Sequence, residues 1–489
     1  MRLKDVLKGV ACRAGRADLG TEVTGVSDDS RAVKEGDIFV AVRGCALDGH
    51  EFIGEALSKG AGAVVSEDDF SEPSGRVAKI LTADTRKALP VIADNFYSHP
   101  SKAMKVIGIT GTNGKTTISY IIEAIVRSSG HEPGVIGTIN YRYRGSYIPS
   151  KNTTPGVLDL QSMLARMLRD GVDHAIMEVS SHSLDQGRIE RVSLDAGIFT
   201  NITSDHLDYH KTRQRYFRAK IRLFDHLKTG GFAILNTDNS KVASLKRSLK
   251  KKVITYGIKT RADITARDIS LSMDGTGFSV RSEGSQFAVK TKLIGIHNVS
   301  NILASIAAAK ALRIPDKCII KGIGSVENVP GRLEAVDAGQ AFKVFVDFAH
   351  TEDALYNILS LLKQVAKRRI VTVFGCGGDR DRTKRPKMGR VACRLSDHVV
   401  ITSDNPRTEE PSSIAKDIEF GIRKDFSNYD IILDRKQAIE KALSLAGRND
   451  IVVLAGKGHE SSQIMKDRAM PFDDRDVALE ILKSMRGKF

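Results

Sequence analysis

The sequence predicts an α/β protein of three domains, and three observations support that class. Its 489 residues exceed what one hydrophobic core organises, and at about 150 residues per domain they suit three. A β-branched run, Val106-Ile107-Gly108-Ile109-Thr110, ends in a glycine turn that opens a helical pattern at Ile118, Ile121, Ile122 and Ile125. Beyond residue 331 a short apolar strand, a polar glycine-bearing loop and a helix recur, with the strands at 342–346, 370–374, 398–402 and 450–454. That alternation builds a parallel, Rossmann-like sheet, whose ligands sit beyond the carboxyl ends of the strands.

In chain order, residues 1–101 read as a small N-terminal α/β domain with short strands at 37–42 and 61–65. Residues 96–101, holding His99-Pro100, read as a linker. Residues 102–330 read as a central domain with a mainly parallel sheet, ended by Pro330-Gly331, and 331–489 as the Rossmann-like C-terminal domain. Hydrophobic content of 41% with 27% charged residues is that of a soluble globular chain, and no run of 18 apolar residues suggests a membrane span. The opening Met1-Arg2-Leu3-Lys4-Asp5-Val6 lacks an apolar signal core, so a folded domain in the cytoplasm is expected. Five cysteines, Cys12, Cys45, Cys318, Cys376 and Cys393, are never spaced as a metal pair and suit reduced thiols. The net charge of +16 raises nucleic acid as a partner, but Lys250-Lys251-Lys252 and Lys367-Arg368-Arg369 are short runs and there is no Trp to stack bases. A solvated basic surface, with a cleft that steers small polyanionic substrates, is the expected reading.

The glycine turn is Gly111-Thr112-Asn113-Gly114-Lys115-Thr116-Thr117. Glycines let backbone N–H groups approach phosphate oxygens, and the N-terminus of the following helix adds positive potential. Lys115 is placed to reach the β- and γ-phosphates of ATP and Thr116 to offer a hydroxyl to Mg²⁺, so the central domain is expected to be P-loop ATPase-like. The loop is a shortened P-loop, because Ile109 stands where the general pattern has its first Gly. The apolar stretch 175–178 ends in Glu178, the expected second ligand to that Mg²⁺. Asp205, His206, Asp208 and His210 suit hard-metal ligation or substrate positioning; zinc lacks a supporting Cys. Lys220 has no distinctive local signal and reads, from its neighbours alone, as a surface lysine. In the last domain each strand end carries polar groups. Asp347 suits a ribose hydroxyl or an adenine-side contact, and the basic loop from Gly375 to Pro386 suits anions. Asp404-Asn405-Pro406-Arg407 suits an amino acid, with Asp404 for an ammonium and Arg407 for a carboxylate. Gly456-Lys457-Gly458-His459-Glu460 repeats the theme.

Together these residues resemble the Mur ligase family, ATP-dependent enzymes that build the peptide stem of peptidoglycan, over nearly the whole chain. The signatures are the loop 111–117, Glu178-Val179-Ser180-Ser181-His182, Thr200-Asn201-Ile202, Asp205-His206-Leu207-Asp208, His297-Asn298, Gly331-Arg332 and Asp347-Phe348-Ala349-His350-Thr351. The resemblance is greatest to the members that add the third residue, through Asp29-Ser30-Arg31, Asn152-Thr153-Thr154-Pro155, Gln186 and Arg188, and the glycine loops at 375–381 and 456–460.

That resemblance implies a set of roles. Ser30 would lie by a uracil, while Thr153, Thr154, Ser180, Gln186 and Arg188 would hold UDP-N-acetylmuramoyl-L-alanyl-D-glutamate. Asn298, Arg332 and Asp347 would contact ATP, with Lys115, Glu178, His206 and Lys220 as the catalytic set. Lys220 would be carbamylated to N6-carboxylysine and, with His206 nearby, help hold a second Mg²⁺. Asp404 to Arg407 resembles the version that selects meso-diaminopimelate, Arg407 with Arg385 pairing the carboxylate that lysine lacks, and Gly456 and Glu460 completing the pocket. A monomer is implied, with no nucleic-acid partner and no membrane insertion. A lysine-adding enzyme, or a folylpolyglutamate synthase-like ligase, is the alternative that shares the ATP loop. Two departures stand out: Phe348 where the family commonly has Tyr, and Glu352 where it commonly has Pro.

Overall fold

The computed structural model describes residues 1–485 apart from 15–18, 45–46, 72–75, 204 and 467. Cys45 therefore lies outside the described residues; Cys12, Cys318, Cys376 and Cys393 are free thiols.

The strands sort into three main sheets and a small hairpin. The first is five-stranded, in the order Cys12–Ala14, Ala78–Thr82, Ala63–Ser66, Ile38–Val40, Val26–Ser27, parallel except for its first strand. The expected strands at 37–42 and 61–65 are thus Ile38–Val40 and Ala63–Ser66. The segment expected as a linker is instead a packed turn. Ser98 and His99 take left-handed backbone angles, and Pro100 opens a short helix, Pro100–Ala103. Ser101 is buried there, its hydroxyl accepting from Ser193 N at 3.0 Å.

At the centre of the eleven-stranded sheet lies Lys105–Thr110, flanked in parallel by Leu194–Phe199 and His174–Glu178. Parallel pairing extends from Pro133–Ile136 to Ile264–Ser272, and antiparallel hairpins close both edges. The strand alternates its faces. Ile107 and Ile109 pack under the helices Lys115–Ser128 and Ile296–Ala311, while Val106 faces the helix Val157–Arg169. Each such side chain, fully buried, contributes about 1.5–3 kcal/mol. Register then fixes the site: Glu178 lies opposite Ile109 and Phe199 opposite Thr110, so three strand ends meet beside Gly111.

The third sheet has six strands, in the order Glu334–Ala335, Lys343–Asp347, Ile451–Ala455, Ile370–Phe374, His398–Ile401, Tyr429–Ile431, parallel except for the first. The four strands expected from the repeating pattern appear within a residue or so of their expected limits. A hairpin of Ser462–Met465 and Arg468–Pro471 was not expected; it follows the 456–460 loop and bridges to Arg407 through Met465. Among the described residues, no helix is long and apolar enough to cross a membrane.

Candidate active site

The phosphate loop holds its shape because no side chain fits at two of its positions. Gly111 has φ +143°, and a Cβ there would stand 1.9 Å from Thr200 Oγ1. Gly114, at φ +93°, caps the helix Lys115–Ser128, and its Cβ would meet Asn301 Oδ1 at 2.4 Å. The neighbouring strand end braces the loop. Thr200 Oγ1 donates to Asn113 O at 2.6 Å, and Asn201 both donates to Asn113 O at 3.1 Å and accepts from Asn113 N at 3.0 Å. Thr112 Oγ1 lies 3.2 Å from the Tyr216 hydroxyl. The loop is thereby fixed over a helix N-terminus, whose partial positive charge favours phosphate. Lys115 curls over its own loop, donating to Gly111 O at 2.9 Å and Thr112 O at 3.0 Å, and burial lowers its pKa. Gly111→Ala is expected to weaken binding of a non-hydrolysable ATP analogue about tenfold or more, measured by calorimetry. Unchanged affinity would mean the loop relaxes freely.

Beside the loop is a nest of hard oxygen donors. Thr116 Oγ1 donates to Glu178 Oε2 at 2.9 Å, and Glu178 is almost wholly buried. Thr138 completes the set, its hydroxyl 2.8 Å from Glu178 Oε2 and its N–H 3.0 Å from Oε1. The sequence reading missed Thr138. Its only signal is its place just past the parallel strand Pro133–Ile136, next to Gly137, where a Cβ would come within 2.5 Å of Glu178 Oε1. A carboxylate and a hydroxyl at this spacing, on the phosphate side of the loop, fit Mg²⁺.

Lys220 corrects the local reading of a surface lysine. It is buried, donates to Gly111 O at 2.9 Å, and lies 4.7 Å from the Tyr216 ring centroid. Burial first, and then the nearby Lys115 charge, drive its pKa well below the ordinary lysine value. His206 sits across the cleft, its Nε2 3.5 Å from Asp205 Oδ2 and its ring 4.8 Å from that of His182. Loss of water around it, with the charges of His182, Lys115 and Lys220, overrides Asp205 and lowers its pKa to about 4, so the imidazole is neutral and can act as a ligand. His210 is turned inward, with its Nε2 3.0 Å from Ser181 Oγ. Among the described residues, Asp205, His206, Asp208 and His210 do not bring three ligand atoms together as a zinc site would.

On the substrate side, Thr154 Oγ1 donates to Glu178 O at 2.9 Å and accepts from Ser180 N at 3.2 Å. Arg188 donates to Thr154 O at 3.0 Å and to Gln186 Oε1 at 3.0 Å, and Thr153 Oγ1 lies 3.1 Å from Thr138 Oγ1. Ser180 Oγ caps the helix Ser181–Asp185. Ser30 is remote in the first sheet's domain, its hydroxyl donating to Glu55 Oε2 at 2.6 Å.

On the nucleotide side, Thr117, Asn298, Arg332 and Asp347 line one cavity of about 540 Å³ with the loop, Thr153, Ser180, His206 and Lys220. Asn298 is held by Ile294 O at 2.9 Å, and Asp347 accepts from Leu333 N at 2.7 Å. Burial raises the Asp347 pKa to about 6. Arg332 donates to Thr116 Oγ1 at 3.3 Å, while its buried Nε has no hydrogen-bond partner among the described residues. The Phe348 departure is a packing choice: its ring contacts the Arg332 guanidinium at 4.9 Å, His350 at 4.5 Å and His459 at 5.0 Å. Glu352 opens the helix Glu352–Val365 behind the Thr351 cap, where an acid suits the helix dipole as Pro suits the backbone.

A second cavity, of about 740 Å³, contains Asp404, Asn405, Arg407, Gly456 and Glu460. Pro406 is buried behind them. Gly456 must lack a side chain, since its Cβ would stand 2.5 Å from Asp404 Oδ2. Asn405 donates to Glu460 Oε2 at 2.7 Å and is held by Ile464 N at 2.9 Å, the role of the unexpected hairpin. Burial and the Asp404 charge raise the Glu460 pKa. Arg407 donates to Gly378 O at 2.8 Å. Arg385 does not join it. It is fully buried, bonded to both oxygens of Glu409 at 3.0 and 2.8 Å and to Asp417 at 2.8 Å. The arginine that faces the cavity beside Arg407 is Arg380, on the loop one turn earlier. Behind the cavity, fully buried Arg435 pairs with Asp474 at 2.7 and 2.6 Å and donates to Ser403 O at 3.2 Å and Ala455 O at 3.1 Å. The two cavities share Asp205, His206, Phe348, His350, Thr351 and Asp353 as a common wall, so they adjoin.

Comparison with known proteins adds three family matches. A model described as Mur ligase middle domain matches residues 109–309, one described as Mur ligase, glutamate ligase domain matches 331–458, and one described as Mur ligase family, catalytic domain matches 22–97. A Bacillus cereus protein named UDP-N-acetylmuramoyl-L-alanyl-D-glutamate--2,6-diaminopimelate ligase is 44% identical over 467 residues, 94% of each chain. A Syntrophomonas wolfei protein of the same name is 40% identical over 491 residues, 100% of each chain. A solved structure of a ligase of that name aligns over 99% of both chains, with 32% identity and a TM-score of 0.72.

Proposed function

The chain belongs to the Mur ligase family, and on that footing we propose that it joins meso-2,6-diaminopimelate to the D-glutamate of UDP-N-acetylmuramoyl-L-alanyl-D-glutamate, consuming ATP and forming ADP and phosphate. The observation that carries this reading is the pair of adjoining cavities, one lined by the phosphate loop and the other by Arg407, Arg380, Asp404 and Glu460. The work is divided by segment. Residues 1–101 hold the uridine end by way of Ser30, residues 102–330 handle ATP, and residues 331–489 present the amino acid. The reaction belongs in the cytoplasm, where ATP and nucleotide-linked precursors meet.

The first step makes an acyl phosphate. The glutamyl side carboxylate, held near Thr153, Thr154 and Ser180, attacks the γ-phosphorus, and the bond to the β-bridging oxygen breaks to release ADP. Lys115 leaves its loop carbonyls for the phosphates and offsets the charge on the transferring group. Thr116 and Glu178 would hold Mg²⁺, which supplies charge neutralisation and orientation of the phosphates when bound. Lys220, whose pKa burial and the Lys115 charge drive well below the ordinary lysine value, is suited to add CO₂: an N–C bond forms, a proton leaves, and the resulting carbamate is a carboxylate facing His206. His206 and that carbamate would hold a second Mg²⁺. In the second step an amino group of diaminopimelate attacks the acyl carbon and phosphate departs. Asp404 and Glu460 hold the distal ammonium while Arg407 and Arg380 hold the distal carboxylate. Lysine lacks that carboxylate and would leave two cleft guanidiniums unpaired.

The test is product analysis with purified protein, MgATP, the UDP-muramoyl dipeptide and either meso-diaminopimelate or L-lysine. Amide formation with diaminopimelate, and about 30- to 150-fold less with lysine, is expected on about 2–3 kcal/mol for an unpaired guanidinium. Equal use of both would assign the pocket to the lysine-adding alternative, and no amide with either would refute the activity.

A further inference from the structure

We propose that His131, Asp173 and His174 form a binding site for a zinc-class divalent cation, separate from the ATP cleft. His131 follows the phosphate-loop helix Lys115–Ser128, and Asp173 precedes the strand His174–Glu178, which His174 begins. Their ligand atoms all lie within 4.8 Å of one another. Asp173 offers one carboxylate oxygen to each ring: Oδ2 stands 2.6 Å from His131 Nδ1 and Oδ1 stands 2.7 Å from His174 Nδ1. The rings lie 4.5 Å apart.

The backbone holds these three together without help from an ion. Asp173 N donates to Glu132 O at 3.1 Å, Glu132 N donates to Asp173 Oδ1 at 3.1 Å, and Asp173 O accepts from Lys105 N at 2.9 Å. The donors are thus preorganised by the sheet edge, and His131 and Asp173, each about half exposed at 48% and 47%, give an ion a path in. His174 is buried, its side chain 7% exposed. Two imidazole nitrogens and one carboxylate oxygen suit Zn²⁺, Co²⁺ or Ni²⁺ with a water in the fourth position, and disfavour Mg²⁺. In the bound form each ring carries its proton on Nε2 and turns the Nδ1 lone pair to the ion. The site lies at the amino ends of the parallel strands, roughly 13 Å along the strand from Glu178 at four residues' rise. An ion there would tie the far end of the phosphate-loop helix to the far end of the Glu178 strand, so its effect is on stability, not on chemistry.

The experiment uses the full chain, stripped with chelator and then saturated with Mg²⁺ and a non-hydrolysable ATP analogue so that the histidines of the cleft are covered. Zinc chloride is titrated by calorimetry and by thermal unfolding. Wild type is expected to bind one equivalent more than His131→Asn, and its Tm is expected to rise with zinc concentration while that of the variant does not. His131→Cys, which restores a zinc ligand but not the imidazole hydrogen bond, is expected to recover both signals. Co²⁺ in place of zinc gives intense tetrahedral visible bands in wild type and His131→Cys but not in His131→Asn. Equal zinc uptake and equal Tm response in wild type and His131→Asn would overturn the proposal and leave the triad as a hydrogen-bonded brace.

Discussion

Lys220→Ala is expected to lower kcat by about 10²–10³-fold while leaving the protein folded and able to bind an ATP analogue. The amine is enclosed, stripped of water and placed beside the Lys115 charge, so as an ammonium it would add positive charge where two are already costly. As a carbamate it reverses sign and faces His206 and the phosphates. Two further readouts separate this from loss of packing. Formate or acetate added to the alanine variant should restore part of the turnover by supplying the missing carboxylate, and wild-type activity should fall when dissolved CO₂ is removed. Because carbamate formation releases a proton, the modified fraction falls as pH drops. Wild-type turnover in the alanine variant would refute the role.

Arg407→Ala carries the second large effect, on the other end of the cleft. Truncating one partner of a desolvated charge pair costs about 2–5 kcal/mol, so kcat/KM for diaminopimelate should fall by about 30-fold or more with KM for ATP unchanged. Arg407→Lys should recover little, since an ammonium cannot reproduce a forked guanidinium contact. Arg385→Lys is the informative control. It disturbs ion pairs with Glu409 and Asp417 that lie outside the cavity, so it should lower Tm more than it alters amino-acid choice. Parallel loss of ATP and diaminopimelate parameters in the Arg407 variants would sink the assigned role.

What the sequence made legible was chemistry confined to a few neighbouring residues. The phosphate loop, the strand-end Glu178 and the Asp404–Arg407 loop each have residue type and spacing within one segment, and the sheets bring them to one cleft. Lys220 was not legible from its own segment, because what buries it is Gly111 O and Tyr216 against a loop a hundred positions away. Arg385 was misplaced for a related reason. Its helix begins at Lys384, so its side chain turns toward Glu409 and Asp417, whose approach no local pattern announces. Arg380, five positions earlier, stays on the loop and faces the cavity. Thr138 escaped because a strand end becomes informative only once its neighbours in the sheet are known.

The Arg435–Asp474 pair has a consequence for how such specificity can be inherited or re-engineered. Arg435 grips the carbonyls just before Asp404 and just before Gly456, and its own partner comes from the helix Asp474–Met485 near the chain's end. The residues that read the amino acid are therefore not a portable cassette. A transplant of 404–407 into a lysine-adding relative would carry the letters without the clasp that sets them in line, whereas one that also moved 456–460, Arg435 and the final helix would move the reading frame intact.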